Sequence, residues 1–355
     1  MVRFLLLALL IGSPPSADAA PLDYLYRSGR AAGMGGTYLG FVEGGEALFQ
    51  NPAGLATPKK LTLDILSSDV GASSDAIYQA MDTSNLLSNM NPSTINQLMG
   101  KNIFVQDQNT FIISSQNYAI GIIQDNQFAL HSRNRSLPNM EMQVQTTNGI
   151  QAGFGFTLGK ARKKKKLDVR LGIAAKYLFK RGGYRSVPFS TVVNMDWSAV
   201  NQLIGGYGSG VGFDTGAEMI FRLNDRFKIT GGLSLQDVGG TKFSSGGGDT
   251  IPQNLSMGFG VKYDLGPNSI LLGFDYQHMS TDTDWRKRVH LGFAWEMPVF
   301  ALYAGMNQVS FTYGASFNLW LFKIYAYSTG EELATYAQQD TERRYFLRIA
   351  TSINL

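Results

Sequence analysis

The chain has no cysteine, so neither a disulfide framework nor a lipid-modified amino-terminal cysteine is open to it. Its three histidines, His131, His278 and His290, fall on different predicted strands without metal-ligand spacing. No apolar run reaches the roughly 18 residues that a membrane-spanning helix needs, which argues against a helical inner-membrane protein. Charged residues make up 16% of the chain and the net charge is +4. The basic run Arg162, Lys163, Lys164, Lys165 and Lys166 has no interleaved aromatics, so it reads as a solvated turn and no nucleic-acid partner is expected. Gly33-Met34-Gly35-Gly36 neither follows a strand nor opens a helix, so it is not a nucleotide loop. Nothing nominates a nucleophile. The expectation is a non-enzyme with no cofactor and no metal.

What the chain does have is glycine (40 residues), tyrosine (16 residues) and a two-residue beat. Leu255, Met257, Phe259, Val261 and Tyr263 alternate with Ser256, Gly258, Gly260, Lys262 and Asp264. Val309 to Asn318 and Tyr345 to Leu355 repeat the pattern. Period two places successive side chains on opposite faces of a sheet. Aliphatic and aromatic residues on one face, with glycine and charge on the other, describe strands of a barrel in lipid.

At the start, Arg3, the apolar stretch 4–11, the helix breakers Gly12, Pro14 and Pro15, and then Ala17-Asp18-Ala19 read as a signal peptide over 1–19. Residues 20–60 lack the beat and are glycine-rich. They are expected to form a hatch or plug, followed by a barrel over 61–355. Strands are predicted over 61–67, 109–116, 117–131, 140–159, 167–180, 211–223 and 226–238. Seven more fall over 252–265, 269–279, 286–295, 299–306, 308–318, 320–328 and 343–355. The fold class is therefore all-β: a transmembrane antiparallel barrel of about 14 strands. Long connections (68–108, 189–210, 239–251, 329–342) fall on one side and tight turns (224–225, 266–268, 297–298) on the other. That asymmetry is the pattern of outer-membrane barrels, with the long loops outside. An integral protein of the bacterial outer membrane, in contact with its lipids, is the expected address.

Two outer loops carry helical patterns, at 74–99 and 196–204. Within the first, Leu86, Leu87, Met90 and Leu98 either form an apolar groove that captures ligand or pack the two helices together.

The segment from Gly29-Arg30-Ala31-Ala32-Gly33-Met34-Gly35-Gly36 to Asn51-Pro52-Ala53-Gly54 resembles the amino-terminal stretch of the FadL/PorV-like outer-membrane barrels. The stretch Gly210 to Gly216 is similar to a strand opening common in that superfamily. The resemblance implies that 20–60 folds inside the barrel, with Asn51, Pro52, Ala53 and Gly54 as the hatch motif. It also implies transport of hydrophobic small molecules such as long-chain fatty acids, captured by outer loops and passed via the hatch. A PorV-like role, as partner or shuttle of a secretion system, is the alternative. The hatch apolars Met34, Tyr38, Leu39, Phe41, Leu48 and Phe49 either line a ligand site or pack hatch to wall. FadL relatives release ligand laterally at a kinked third strand. Here Gln124, Asp125, Asn126 and Gln127 interrupt the apolar alternation of Tyr118, Ile120 and Ile122. Such an interruption reads as a lateral-exit kink, a strand running past the bilayer, or a turn. One departure from the outer-membrane pattern is the final residue, Leu355 in place of an aromatic, although Tyr345 and Phe346 lie in the same strand.

Overall fold

A computed structural model describes residues 24–57, 60–82, 100–132, 139–158, 167–188, 202, 204–244 and 248–355. The expected signal peptide, the residues Leu86, Leu87, Met90 and Leu98, the basic run 162–166 and most of the 196–204 segment lie outside the described residues.

Fourteen antiparallel strands close on themselves. In chain order they are β1 (Thr62–Ser73), β2 (Asn102–Ser115), β3 (Tyr118–Ser132), β4 (Asn139–Leu158) and β5 (Leu167–Pro188). Next come β6 (Gly208–Arg222), β7 (Phe227–Gln236), β8 (Asn254–Leu265), β9 (Asn268–Tyr276) and β10 (Val289–Glu296). The set ends with β11 (Phe300–Asn307), β12 (Ser310–Leu319), β13 (Phe322–Glu332) and β14 (Thr341–Asn354). Each strand pairs with its sequence neighbours, and β1 pairs with β14 to remove the last free edge. No described helix is long and apolar enough to cross a membrane.

The beat decides which side of the wall each residue meets. Ile122, Phe259, Leu272 and Leu347 are exposed outward, while Thr230, Ser256, Asp275 and Arg348 are buried inward. A greasy exterior round a closed ladder satisfies every backbone group without water, which is what a bilayer demands. A prediction follows at Phe259, mid-strand on β8 and half exposed at 51%. Phe259→Arg should destabilise the barrel by about 2–4 kcal/mol, the cost of a midplane cation on a lipid-facing wall. Urea titration in vesicles measures it. A cost near zero would place this face out of lipid.

Several strands run further than the apolar signal. β1 reaches Ser73, β2 starts at Asn102, β5 reaches Pro188 and β13 reaches Glu332. The extra residues are all at the outer end, where the outward face no longer has to be apolar and the beat in hydropathy fades while the ladder continues. At that end Ser73 Oγ accepts from Ala76 N at 3.2 Å, opening helix α3 (Ser74–Asp82).

At Gln124 to Gln127 the register decides among the readings that the sequence left open. β3 passes through them with no register shift against β2 or β4, so there is neither a turn nor a gap. Alternation persists: Asp125 is buried inward and accepts from Gln106 Nε2 at 2.6 Å and Gln127 Nε2 at 2.7 Å. Gln124 faces out, aligned with Asn109 and Asn148 of the flanking strands. The outward face is polar at Gln124 and Asn126 and apolar again at Phe128 and Leu130, and the hydrogen-bonded ladder carries on.

Candidate functional site

Residues 24–57 lie within the barrel. They form helix α1 (Gly29–Gly33), helix α2 (Ala47–Gln50) and a 3-10 turn, Pro52–Ala56. Segments this short cannot hold a fold alone; the wall holds them. Leu39, Leu48, Phe49 and Leu55 are buried in one apolar cluster with Ile112 and Ile123 of the strands.

Polar groups fix the hatch in register. Tyr38 and Leu39 backbone N–H groups donate to Asp275 Oδ2 at 2.8 and 3.1 Å. Gln151 Nε2 donates to the Leu48 carbonyl at 2.8 Å, Gln236 Nε2 to that of Phe49 at 2.7 Å, and Ser234 Oγ to that of Gln50 at 2.7 Å. Buried charges are paired, as a low-dielectric interior requires. Arg27 meets Glu331 at 2.8 Å, Arg348 meets Glu46 at 3.0 Å, and Arg30 lies 3.6 Å from Glu296. Within the wall, Arg170 pairs with Glu218 at 3.0 Å, and Lys176 with Asp214 at 2.8 Å and Asp237 at 2.9 Å. Burial alone would raise the Glu46 carboxyl, yet Arg348, Ser28 and Arg30 around it hold it below the usual carboxylate range.

The hatch motif anchors the plug. Asn51 is buried, its Oδ1 accepts from Ala53 N at 3.1 Å, and its Nδ2 donates to the Ala217 carbonyl at 3.4 Å. Pro52 leads the 3-10 turn, where its missing N–H costs nothing. A Cβ on Gly172 would strike the Pro52–Ala53 peptide, and one on Gly216 would strike Asn51 Oδ1. Hatch backbone and strand backbone touch here, and only glycine permits it.

Above the hatch is a cavity of about 490 Å³, within the roughly 300–1,000 Å³ range of small-molecule sites. Its hatch side carries four aromatics, Tyr24, Tyr26, Tyr38 and Phe49, beside polar Arg27, Ser28 and Gln50; its wall side is mostly polar, with Lys176 and Lys180 among the lining residues. Of the six hatch apolars singled out in sequence, only Tyr38 and Phe49 line it. The other four are buried against the wall: Met34 beside Gly292, Leu39 beside Gly232, Phe41 beside Gly260, and Leu48 beside Gly153. Sequence reasoning did not single out Tyr24, Tyr26 or Lys180 for the site. Lys176 and Lys180 share inward parity on β5, which was the available signal; Tyr24 and Tyr26 had none, because their stretch lacks periodicity. His278, also in the lining, is kept neutral by burial, its pKa lowered to about 3. Among the described residues no group of His, Asp or Glu is placed to hold a metal.

A closed fourteen-strand wall with an apolar exterior and a folded plug in its lumen defines an integral outer-membrane β-barrel of the plugged type. Solved structures give the fold a more particular counterpart. The chain matches the toluene transporter TbuX of Ralstonia pickettii with a TM-score of 0.51 and 14% identity, covering 94% of this chain and 99% of that one. The toluene transporter TodX of Pseudomonas putida matches with a TM-score of 0.49 and 12% identity, covering 94% and 98%. No family model and no curated protein matches the sequence. At such identity the likeness to TbuX is one of fold, and that fold is the FadL-type barrel.

Proposed function

We propose that this barrel carries hydrophobic small molecules across the outer membrane, binding them above the hatch before they pass it. The observation that carries the reading is the aromatic-sided cavity of about 490 Å³ in a lumen otherwise filled by the hatch. A water-filled general porin has no use for such a plug. TbuX, of similar fold, is described as a toluene transporter, which supports an apolar cargo.

The lining favours an amphipathic member of that class, such as a long-chain fatty acid. A bare hydrocarbon would strip water from the polar wall around Gln143, Gln145 and Asn254 and return no hydrogen bond. A carboxylate head on an acyl chain would meet both halves of the cavity. Four hatch apolars serve packing, so the chain of the ligand would lie along Tyr24, Tyr26, Tyr38 and Phe49.

Mass spectrometry of small molecules retained by gently purified protein tests the reading, and an amphipathic lipid at near one copy per barrel is expected. Asn51→Ala, or deletion of 20–60, should change oleate uptake several-fold while the barrel still assembles. An empty cavity together with uptake indifferent to both changes would sink the proposal. A stoichiometric protein partner in its place would favour the secretion-system alternative.

A further inference from the structure

One residue in the lining of the cavity above the hatch is placed in a way that the fold alone does not require. β9 ends at Tyr276, and just beyond it the chain changes partners. Gln277 N donates to the Arg288 carbonyl at 2.9 Å, and Met279 N to the Leu255 carbonyl at 2.8 Å. His278 makes the change between them with a φ of 54°, a left-handed conformation uncommon for a residue with a side chain. Its backbone N–H is held there by Asn254 Oδ1 at 3.1 Å. Glycine would serve this turn, yet the position carries an imidazole.

That imidazole belongs to the cavity lining and is buried, with 4% of the residue exposed. Its Nε2 has no hydrogen-bond partner among the described residues. Tyr24, also in the lining, stands edge-on to the ring with centroids 4.8 Å apart. Its hydroxyl is likewise buried with no partner of hydrogen-bond geometry among the described residues. Buried polar atoms are almost always paired, and here two on neighbouring rings are not.

The chemistry of the two rings limits what completes them. Burial keeps the imidazole neutral, so it offers one donor and one acceptor, as a phenol does. Neither ring balances an ion. Two guanidinium groups act on the imidazole, those of Arg27 and Arg288. Arg27 is paired with Glu331 at 2.8 Å. Arg288 is outside the lining, and its Nη2 donates to the Thr281 and Thr283 carbonyls at 2.8 and 2.7 Å. An ionised carboxylate at this end would lose its water and be repelled by Glu331. A hydroxyl, which both donates and accepts, answers the two rings together.

We infer that His278, with Tyr24, anchors the hydroxyl of an apolar ligand: an alcohol, a phenol or a fatty acid in its un-ionised form. The hydrocarbon of that ligand lies along the aromatics of the hatch. The inference rests on the transport reading above and narrows the head group presented at this end of the cavity to an O–H.

p-Cresol and p-xylene differ by a hydroxyl in place of a methyl group and are both neutral at pH 7, so their dissociation constants on the purified barrel isolate the anchor. His278→Gly suits the backbone and removes the ring; His278→Phe keeps a ring against Tyr24 and removes the nitrogens. The native barrel should bind p-cresol more tightly than p-xylene by about tenfold or more, because a site that hydrogen-bonds an O–H rejects the analogue lacking it. Both variants should lose that factor for p-cresol, while p-xylene binds His278→Phe as it binds the native barrel. Native p-cresol affinity in either assembled variant overturns the anchor. So does an equal loss for the two probes, which marks a structural effect, and so does a native barrel without the preference. Uptake of oleate and p-xylene by cells displaying the native barrel decides the transport reading separately. Its absence beside the expected p-cresol result removes transport and keeps the anchor.

Discussion

Arg348→Ala is expected to unseat the hatch while leaving the barrel closed. The guanidinium is buried and binds Glu46 Oε1 at 3.0 Å, Tyr26 OH at 2.6 Å, Ser67 Oγ at 2.7 Å and the Arg27 carbonyl at 3.0 Å. Its removal strands a carboxylate and several dipoles where water replaces it poorly. The Glu46 side chain is 31% exposed, so the cost lies at the low end of the about 3–5 kcal/mol of a broken buried pair, roughly two orders of magnitude in local opening. Hydrogen exchange over 24–57 should accelerate accordingly while the β13–β14 ladder stays protected, and ion conductance through the lumen should rise. Unchanged hatch protection would show that the apolar cluster seats the plug unaided. Arg348→Lys should recover little, because one ammonium cannot serve four partners in a fixed fork. The pH dependence has a defined sign. Glu46 titrates below its unfolded value of about 4.3, so its contribution is complete above that pH and is lost as pH falls through the lower, folded value.

Gly172→Leu is expected to have the second large effect, by steric means. A Cβ there overlaps backbone of Pro52 and Ala53, and neither the hatch turn nor the strand can rotate aside. Over-packing commonly costs about 1–3 kcal/mol and more when backbone must move, so the hatch motif should be pushed off the wall. Thermal melts and lumen conductance read the change. Ile173→Leu, one residue along and facing lipid, should leave both at the native value. Equal behaviour of the two variants would refute the close hatch–wall contact at Pro52.

These two predictions sit on different kinds of residue, and they differ in how visible they were in the sequence. The Asn51 to Gly54 motif was legible as part of a plug through its family resemblance, whereas Gly172 was one glycine among many until the structure set it against Pro52. The partners of Arg348 were not legible. Its place at inward parity showed only that a buried cation needs something, and Glu46 is 302 residues away. Strand number and order were readable because lipid demands an apolar outward face at every second residue. Strand ends were less so, since beyond the lipid the ladder continues without that demand. At Gln124 to Gln127 hydropathy alone left a kink, a continuing strand and a turn open, and the pairing with β2 and β4 decides for the continuing strand.

By itself the sequence determined the barrel, because an outward face in lipid has to be apolar at every second residue. Only the tertiary structure decided where the plug touches the wall and which residues frame the cavity. Those depend on register between residues far apart in the chain, and a one-residue beat carries no record of which strand lies opposite.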